Sequence, residues 1–225
     1  SISPDSTNHQ EHLWFAHFLI AANKMEEAEI SLQSALTHGP EHVETWVAWL
    51  QFLKRVGRDE EIAQTIEKAK KQFPGDDHAL EMAQIFEAVG DFDAAEKDFQ
   101  TAVARTPNDT ALRIAVAEFF NRIGRPQSAE PHLRRVLAED STASPAQQAD
   151  ARRALALALA ADPSYPKFQA ALQLLDENLD HNRWSLPDQR LKAFLLARQP
   201  TRKSRRQALQ IYRQLQEAGS LLRQD

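Results

Sequence analysis

The sequence predicts an all-helical protein assembled from repeated helix pairs, and three observations carry that prediction. Only 6 of the 225 residues are glycine, whereas alanine, leucine, glutamate, glutamine and arginine, all good helix formers, are abundant. No stretch alternates apolar and polar residues in the manner of a half-buried strand. Four marker series recur at intervals of 33 or 34 residues in one register. The first, Asn23, Gly57, Gly90 and Gly124, consists of residue types that tolerate the left-handed backbone at a helix end. The second is Pro40, Pro74 and Pro107. The third is Ala28, Ile62, Ala95 and Ala129, and the fourth is Phe18, Phe52, Ile85 and Phe119.

Each period divides into two helices. The first helices carry His12, Phe15, Ala16 and Leu19, then Trp46, Trp49, Leu50 and Leu53. They continue with Ala79, Met82, Ala83 and Phe86, then Arg113, Val116, Ala117 and Phe120. The second helices place a small residue, an apolar residue four later and a small residue three beyond. Those are Ala28, Leu32 and Ala35; Ile62, Ile66 and Ala69; Ala95, Phe99 and Ala102; and Ala129, Leu133 and Val136. Small positions let neighbouring helices approach closely, and large ones fill the space between one pair and the next. Beyond Ser141 the register loosens. Pro145 is suited to a helix start, and a helix is expected over 146–161. DPSYP breaks it, and a second helix over 167–181 has Phe168, Ala171, Leu172, Leu175 and Leu179 on one face. NRWSLP is the next break. Helices over 188–198 and 202–218 follow, the latter with Ala208, Tyr212 and Leu215 in the second-helix pattern.

These spacings resemble the tetratricopeptide repeat family, whose unit is a pair of antiparallel helices of about 34 residues. The resemblance covers 9–141 well, as four units, and 146–218 weakly, as one or two degenerate pairs. The expected organisation is an N-terminal extension over 1–8, four repeats over 9–141, and degenerate pairs with a C-terminal helix over 142–225. His12 and Arg113 depart from the family pattern by being polar at a bulky apolar position, and Leu50 by being large at a small one. The Trp46, Trp49, Phe52 spacing also resembles half-a-TPR repeats of RNA-processing scaffolds, in one repeat only.

The resemblance implies a right-handed superhelical α-solenoid whose concave groove is lined by the first helix of each pair. Inward-facing family positions are matched by Trp14, His17 and Ile20, then by Val47, Gln51, Lys54 and Arg55. In the third and fourth repeats they are Leu80, Glu81, Gln84 and Glu87, then Ile114, Glu118, Asn121 and Arg122. The amides of Gln51, Gln84 and Asn121 can pair with a peptide backbone, and Lys54, Arg55 and Arg122 can hold a carboxylate. The same face also reads as a solvated surface that binds nothing. The family's carboxylate clamp for chaperone tails is not expected. Its positions fall on Leu13, His17, Ala48, Asp77 and Glu81, or one repeat later on Val47, Gln51, Glu81, Ala111 and Ala115, which supply no cations. Trp14 and Ile20 read either as a hydrophobic anchor or as a face covered by a preceding repeat or by the N-terminal segment. The second reading allows self-association through this end.

Charge and composition narrow the chemistry. The net charge is −5, which opposes general nucleic-acid binding. The distribution is uneven. From Arg183 to Asp225 ten Lys and Arg stand against three Asp and Glu, and the remainder of the chain is net −12. Arg202, Lys203, Arg205 and Arg206 read as a solvated helix start or as a contact for an acidic partner. With no cysteine there is no disulfide scaffold, thiolate metal site or thiol nucleophile. The pairs His9 and His12, and His38 and His42, read as surface histidines, because no HExxH helix accompanies them. No phosphate loop, nucleophile elbow or Rossmann glycine pattern occurs. Asn108-Asp109-Thr110 fits a glycosylation acceptor, discounted without a secretory signal. No apolar run approaches the ~20 residues of a membrane span, and a start at Ser1 suggests a processed or excised piece.

The expectation is therefore a cytoplasmic protein-interaction scaffold, not an enzyme, with no cofactor, metal or small-molecule substrate. Its ligand is expected to be a peptide or protein held in the groove, as part of a larger protein or assembly. A structural or oligomerisation spacer and an RNA-associated array are the alternatives.

Overall fold

In the computed structural model, residues 6–138, 141–182 and 185–217 are described. They form twelve α-helices with no strand among them. The chain divides into two compact units, Ser1–Pro107 and Asn108–Asp225. The division falls between the third and fourth helix pairs.

The first unit holds α1 (His9–Ala21), α2 (Met25–His38), α3 (Val43–Val56), α4 (Asp59–Gln72), a 3-10 turn at Asp76–His78, α5 (Ala79–Val89) and α6 (Phe92–Arg105). The periodic residues do what their chemistry requires. Gly57 and Gly90 end α3 and α5 with φ of 75° and 85°, and Asn23 takes the same left-handed conformation after α1 at φ 59°. Asn8 and Asp91 cap the next free backbone amides, those of Gln10 and Ala94. Ala28, Leu32 and Ala35 are buried, as are Ala95, Phe99 and Ala102, while Ile62 and Ile66 are partly buried.

Stacking between pairs builds the core. Phe52 and Trp49 of the second pair pack with Ala16, Leu19, Ala28 and Leu32 of the first. Ile85 and Met82 of the third pair pack with Trp46, Leu50, Ala69 and Phe73 of the second. Leu50 is fully enclosed there, so its size is accommodated by the aromatic-rich seam around it. Arg58 adds a polar clamp, bonding Glu29 on α2 at 2.6 Å and Glu61 on α4, with its guanidinium 5.8 Å from the Trp49 ring centroid. The hydrogen bond from Arg58 holds the Glu61 carboxyl below its ordinary range.

The second unit holds α7 (Thr110–Arg122), α8 (Pro126–Val136), α9 (Pro145–Ala160), α10 (Tyr165–His181), α11 (Leu186–Ala197) and α12 (Arg202–Glu217). Ser144 and Gln147 form a capping box at α9, with Pro145 in the first turn. Helices α10 and α11 begin earlier than the sequence suggests, because Pro166 and Pro187 sit inside their first turns. A first-turn amide has no helical acceptor, so proline costs nothing there. Phe168, Ala171 and Leu175 are buried, as are Ala208 and Leu215, while Leu172, Leu179 and Tyr212 are partly buried. Residue 218, assigned above to the last helix, lies outside the described residues.

His132 on α8 sets a pH dependence. Its ring stacks on Phe120 at 5.9 Å, and its Nδ1 is buried without a hydrogen-bond partner among the described residues. Burial, aided by Arg113, lowers its pKa below the ordinary 6.5. The unfolded chain therefore binds a proton that the folded one refuses, and stability falls as pH drops below about 6.5. Denaturant titrations at pH 7.5 and 5.5 should show this loss, and His132→Leu should reduce it. An unchanged slope in that variant would assign the effect elsewhere. No helix among the described residues is long and apolar enough to cross a membrane.

Candidate functional site

The predicted groove residues fall on the first helix of each pair. In the first unit, α1 carries Trp14 and His17, both exposed, and Ile20, which is half-buried. Trp14 is 67% exposed and stacks on Phe18, itself 59% exposed, with ring centroids 6.4 Å apart. The repeat explains this surface. Phe52 and Ile85 occupy the position of Phe18 in the next two pairs, and each is buried against the pair before it. In α1 the equivalent side chain has no such cover among the described residues.

On α3, Gln51 and Arg55 lie four apart on one exposed face. Gln84 and Glu87 lie half-buried on α5. The side chains of Gln51, Arg55 and Gln84 make no hydrogen bond or ion pair with other described residues. Lys54 differs from them. Its Nζ donates to the Val89 carbonyl at 2.8 Å, tying α3 to the end of α5. A cation at a helix C-terminus is favoured by the free carbonyls there, so Lys54 is engaged within the fold, unlike Gln51 and Arg55. The remaining predicted residues are in the second unit on α7. Glu118 and Arg122 are exposed and pair at 3.7 Å, and Asn121 is half-buried.

Two constellations escape sequence reasoning because their members are far apart in the chain. In the second unit, Asp188 is only 1% exposed and accepts hydrogen bonds from Arg153 at 2.9 Å, from the Asn178 amide at 2.8 Å and from Ser185. Arg152 reaches Asn178 at 3.1 Å and Glu177 at 3.3 Å. Arg152, Arg153, Asn178, Ser185 and Asp188 border an open cleft of about 520 Å³. Since Arg153, Asn178 and Asp188 satisfy one another, the network joins α9, α10 and α11.

The second constellation is histidine-based and corrects the surface reading for His12 alone, since His38 is exposed and His9 and His42 are half-buried. His12 is 7% exposed, and its Nε2 lies 2.7 Å from the Ser6 carbonyl. That bond satisfies the polar ring at a position the pattern reserves for an apolar one. The rings pair across helices instead. His12 stacks with His38 at 5.6 Å, and His9 with His42 at 4.0 Å. Glu44 lies beside the latter pair.

The basic run opens α12, with Arg202, Lys203, Arg205 and Arg206 all exposed. Cations in a first turn oppose the helix dipole, so they do not serve the stability of α12.

Comparison with known proteins follows the same lines. The family described as tetratricopeptide repeat matches residues 80–147. No curated protein matches the chain. Among solved structures, a tetratricopeptide repeat protein from Parabacteroides merdae is 12% identical, with a TM-score of 0.54, over 93% of this chain and 79% of that one. The pilF protein of Pseudomonas aeruginosa is 13% identical, with a TM-score of 0.51, over 93% of this chain and 91% of that one. A chain in the complex of Naa15 and Naa10 bound to HypK-THB is 20% identical, with a TM-score of 0.52. It is matched over 95% of this chain and 32% of its own length. These likenesses establish the fold.

Proposed function

Because this chain is a helical-repeat protein of the tetratricopeptide type, we propose that it is a non-catalytic scaffold that docks a peptide or protein on the first helices of its pairs. The observation that carries this reading is the uncommitted polarity of that face in the first unit. Gln51, Arg55 and Gln84 offer two amides and a guanidinium with no intramolecular partner among the described residues. An amide supplies both a donor and an acceptor to a peptide backbone, and the guanidinium can hold a carboxylate in a fork. Trp14 and His17 extend the surface on α1, and Lys54 and Glu87 border it. On α7 of the second unit, Glu118, Asn121 and Arg122 form the corresponding surface. Assembly with other proteins fits the resemblance to a chain of the Naa15–Naa10 complex. The reading keeps the cytoplasmic setting expected from the composition. It assigns no small-molecule substrate, no nucleic acid and no membrane insertion.

A second reading rests on the Trp14–Phe18 face. Its repeat equivalents are stacking surfaces, so this end is suited to a further helix pair, including one from another copy. A single comparison tests both readings. Wild type, Gln51→Ala/Arg55→Ala/Gln84→Ala and Trp14→Ser/Phe18→Ser are used as bait against lysate, and each is also run in sedimentation velocity. Docking predicts that the triple variant keeps its thermal midpoint and loses partners that wild type retains. Equal capture by both would overturn it. Self-association predicts a larger species for wild type that Trp14→Ser/Phe18→Ser converts to monomer. A salt-sensitive gain of RNA would instead favour the RNA-associated array, through counterion release.

A further inference from the structure

We propose that His9, His42 and Glu44 form a binding site for a divalent transition-metal ion of the zinc class, where the first and second helix pairs meet. One donor atom from each residue lies within 4.8 Å of the other two. His9 opens α1, His42 caps α3 and Glu44 stands in the first turn of α3. The set is therefore made by the packing of two pairs.

Each donor is presented in a form that suits a metal. The Nε2 of His9 is buried, has no hydrogen-bond partner among the described residues and lies 3.8 Å from the Glu44 carboxylate. A buried ring nitrogen without a partner is costly, and a coordinate bond would satisfy it. On His42 the Nε2 lies 3.3 Å from Glu41 and the Nδ1 lies 3.9 Å from Glu44. Glu41 and Glu44 thus flank the two ring nitrogens of His42, and a ring carrying its proton on Nε2, the side of Glu41, presents the Nδ1 lone pair on the side of Glu44. A carboxylate behind a ligating histidine fixes its tautomer and raises its basicity in known metal sites. Imidazoles with a carboxylate form a borderline donor set, suited to zinc, nickel or copper.

Metal binding requires the donors to draw together from within 4.8 Å and the His42 ring to turn out of its 4.0 Å stack on His9, so that both lone pairs converge. Tetrahedral zinc at 2.0–2.1 Å from nitrogen holds its donors about 3.4 Å apart. The anchor is fixed, since the His9 side chain is 15% exposed, and a Cβ on Gly39 would come within 2.7 Å of its ring. The movable ligands are the exposed ones, because the His42 and Glu44 side chains are 41% and 50% exposed. Three protein ligands leave a fourth position open. The neighbouring rings are committed elsewhere. His12 Nε2 lies against the Ser6 carbonyl, and His38 Nδ1 lies 2.8 Å from the Ser34 carbonyl. The positive ends of α1 and α3 oppose a cation, and the carboxylates of Glu41 and Glu44 offset them.

The test uses the untagged chain, freed of metal with a chelator and titrated with zinc chloride in a calorimeter. Cobalt chloride provides a visible spectrum in parallel. One saturable zinc equivalent is expected, with a tetrahedral or five-coordinate cobalt absorption. His42→Ala and Glu44→Gln, both at exposed positions, should each weaken zinc by at least about tenfold. Glu41→Gln should do so by roughly 10- to 100-fold, the usual cost of losing an outer carboxylate. His38→Ala should leave binding unchanged. Absence of saturable binding overturns the proposal. So does binding that survives His42→Ala and Glu44→Gln, which would place the ion on other histidines.

Discussion

Asp188→Ala is expected to destabilise the second unit by about 3–5 kcal/mol, the usual cost of removing one partner from a buried ion pair. The carboxylate is 1% exposed and accepts from Arg153, Asn178 and Ser185. Alanine would leave the Asn178 Nδ2 with only the Ala149 carbonyl, and Arg153 with only the more exposed Asp150. Urea denaturation followed by far-UV circular dichroism should show the lost midpoint. An apolar double replacement, Arg153→Met/Asp188→Leu, should recover much of the loss, because it leaves no charge stranded. A loss below 1 kcal/mol for Asp188→Ala would mean that water replaces the carboxylate and that the network does not join the three helices.

Phe52→Ala is expected to cost the first unit about 3–5 kcal/mol, the range for emptying a buried phenylalanine site. The side chain is 2% exposed and packs on Ala16, Leu19, Ala28 and Leu32 of the preceding pair. Repeat proteins draw much of their stability from such neighbour interfaces. Limited proteolysis should therefore cut the variant between α2 and α3 sooner than wild type. Phe18→Ala is the matched control. It sits at the same repeat position, yet its side chain is 59% exposed, so its cost should stay near zero. Equal losses at the two positions would show that burial against the preceding pair is not the source of stability.

The comparison of Phe18 with Phe52 marks the limit of sequence reading. Periodicity found both residues and gave them one role, because it reports only the local face of a helix. Whether the face is covered depends on a neighbouring pair. The same limit separates Lys54 from Arg55. Both are exposed cations on α3, but only the position of α5 decides that Lys54 reaches the Val89 carbonyl.

Much was nevertheless legible in the residues alone. The helix pairs, their register and the left-handed ends at Asn23, Gly57 and Gly90 follow from local propensity and from apolar spacing along each helix. Those properties act within a few residues, so a linear pattern records them. The tertiary structure alone decided the rest. Histidines that lie three or four apart in sequence were paired across helices, His9 with His42 and His12 with His38. Asp188 was placed beside Arg153, 35 residues away. Polar side chains meet in this way because the packing of apolar faces fixes the positions of the helices that carry them. The burial pattern predicts which faces pack, whereas the identity of each polar neighbour depends on the final placement of those helices.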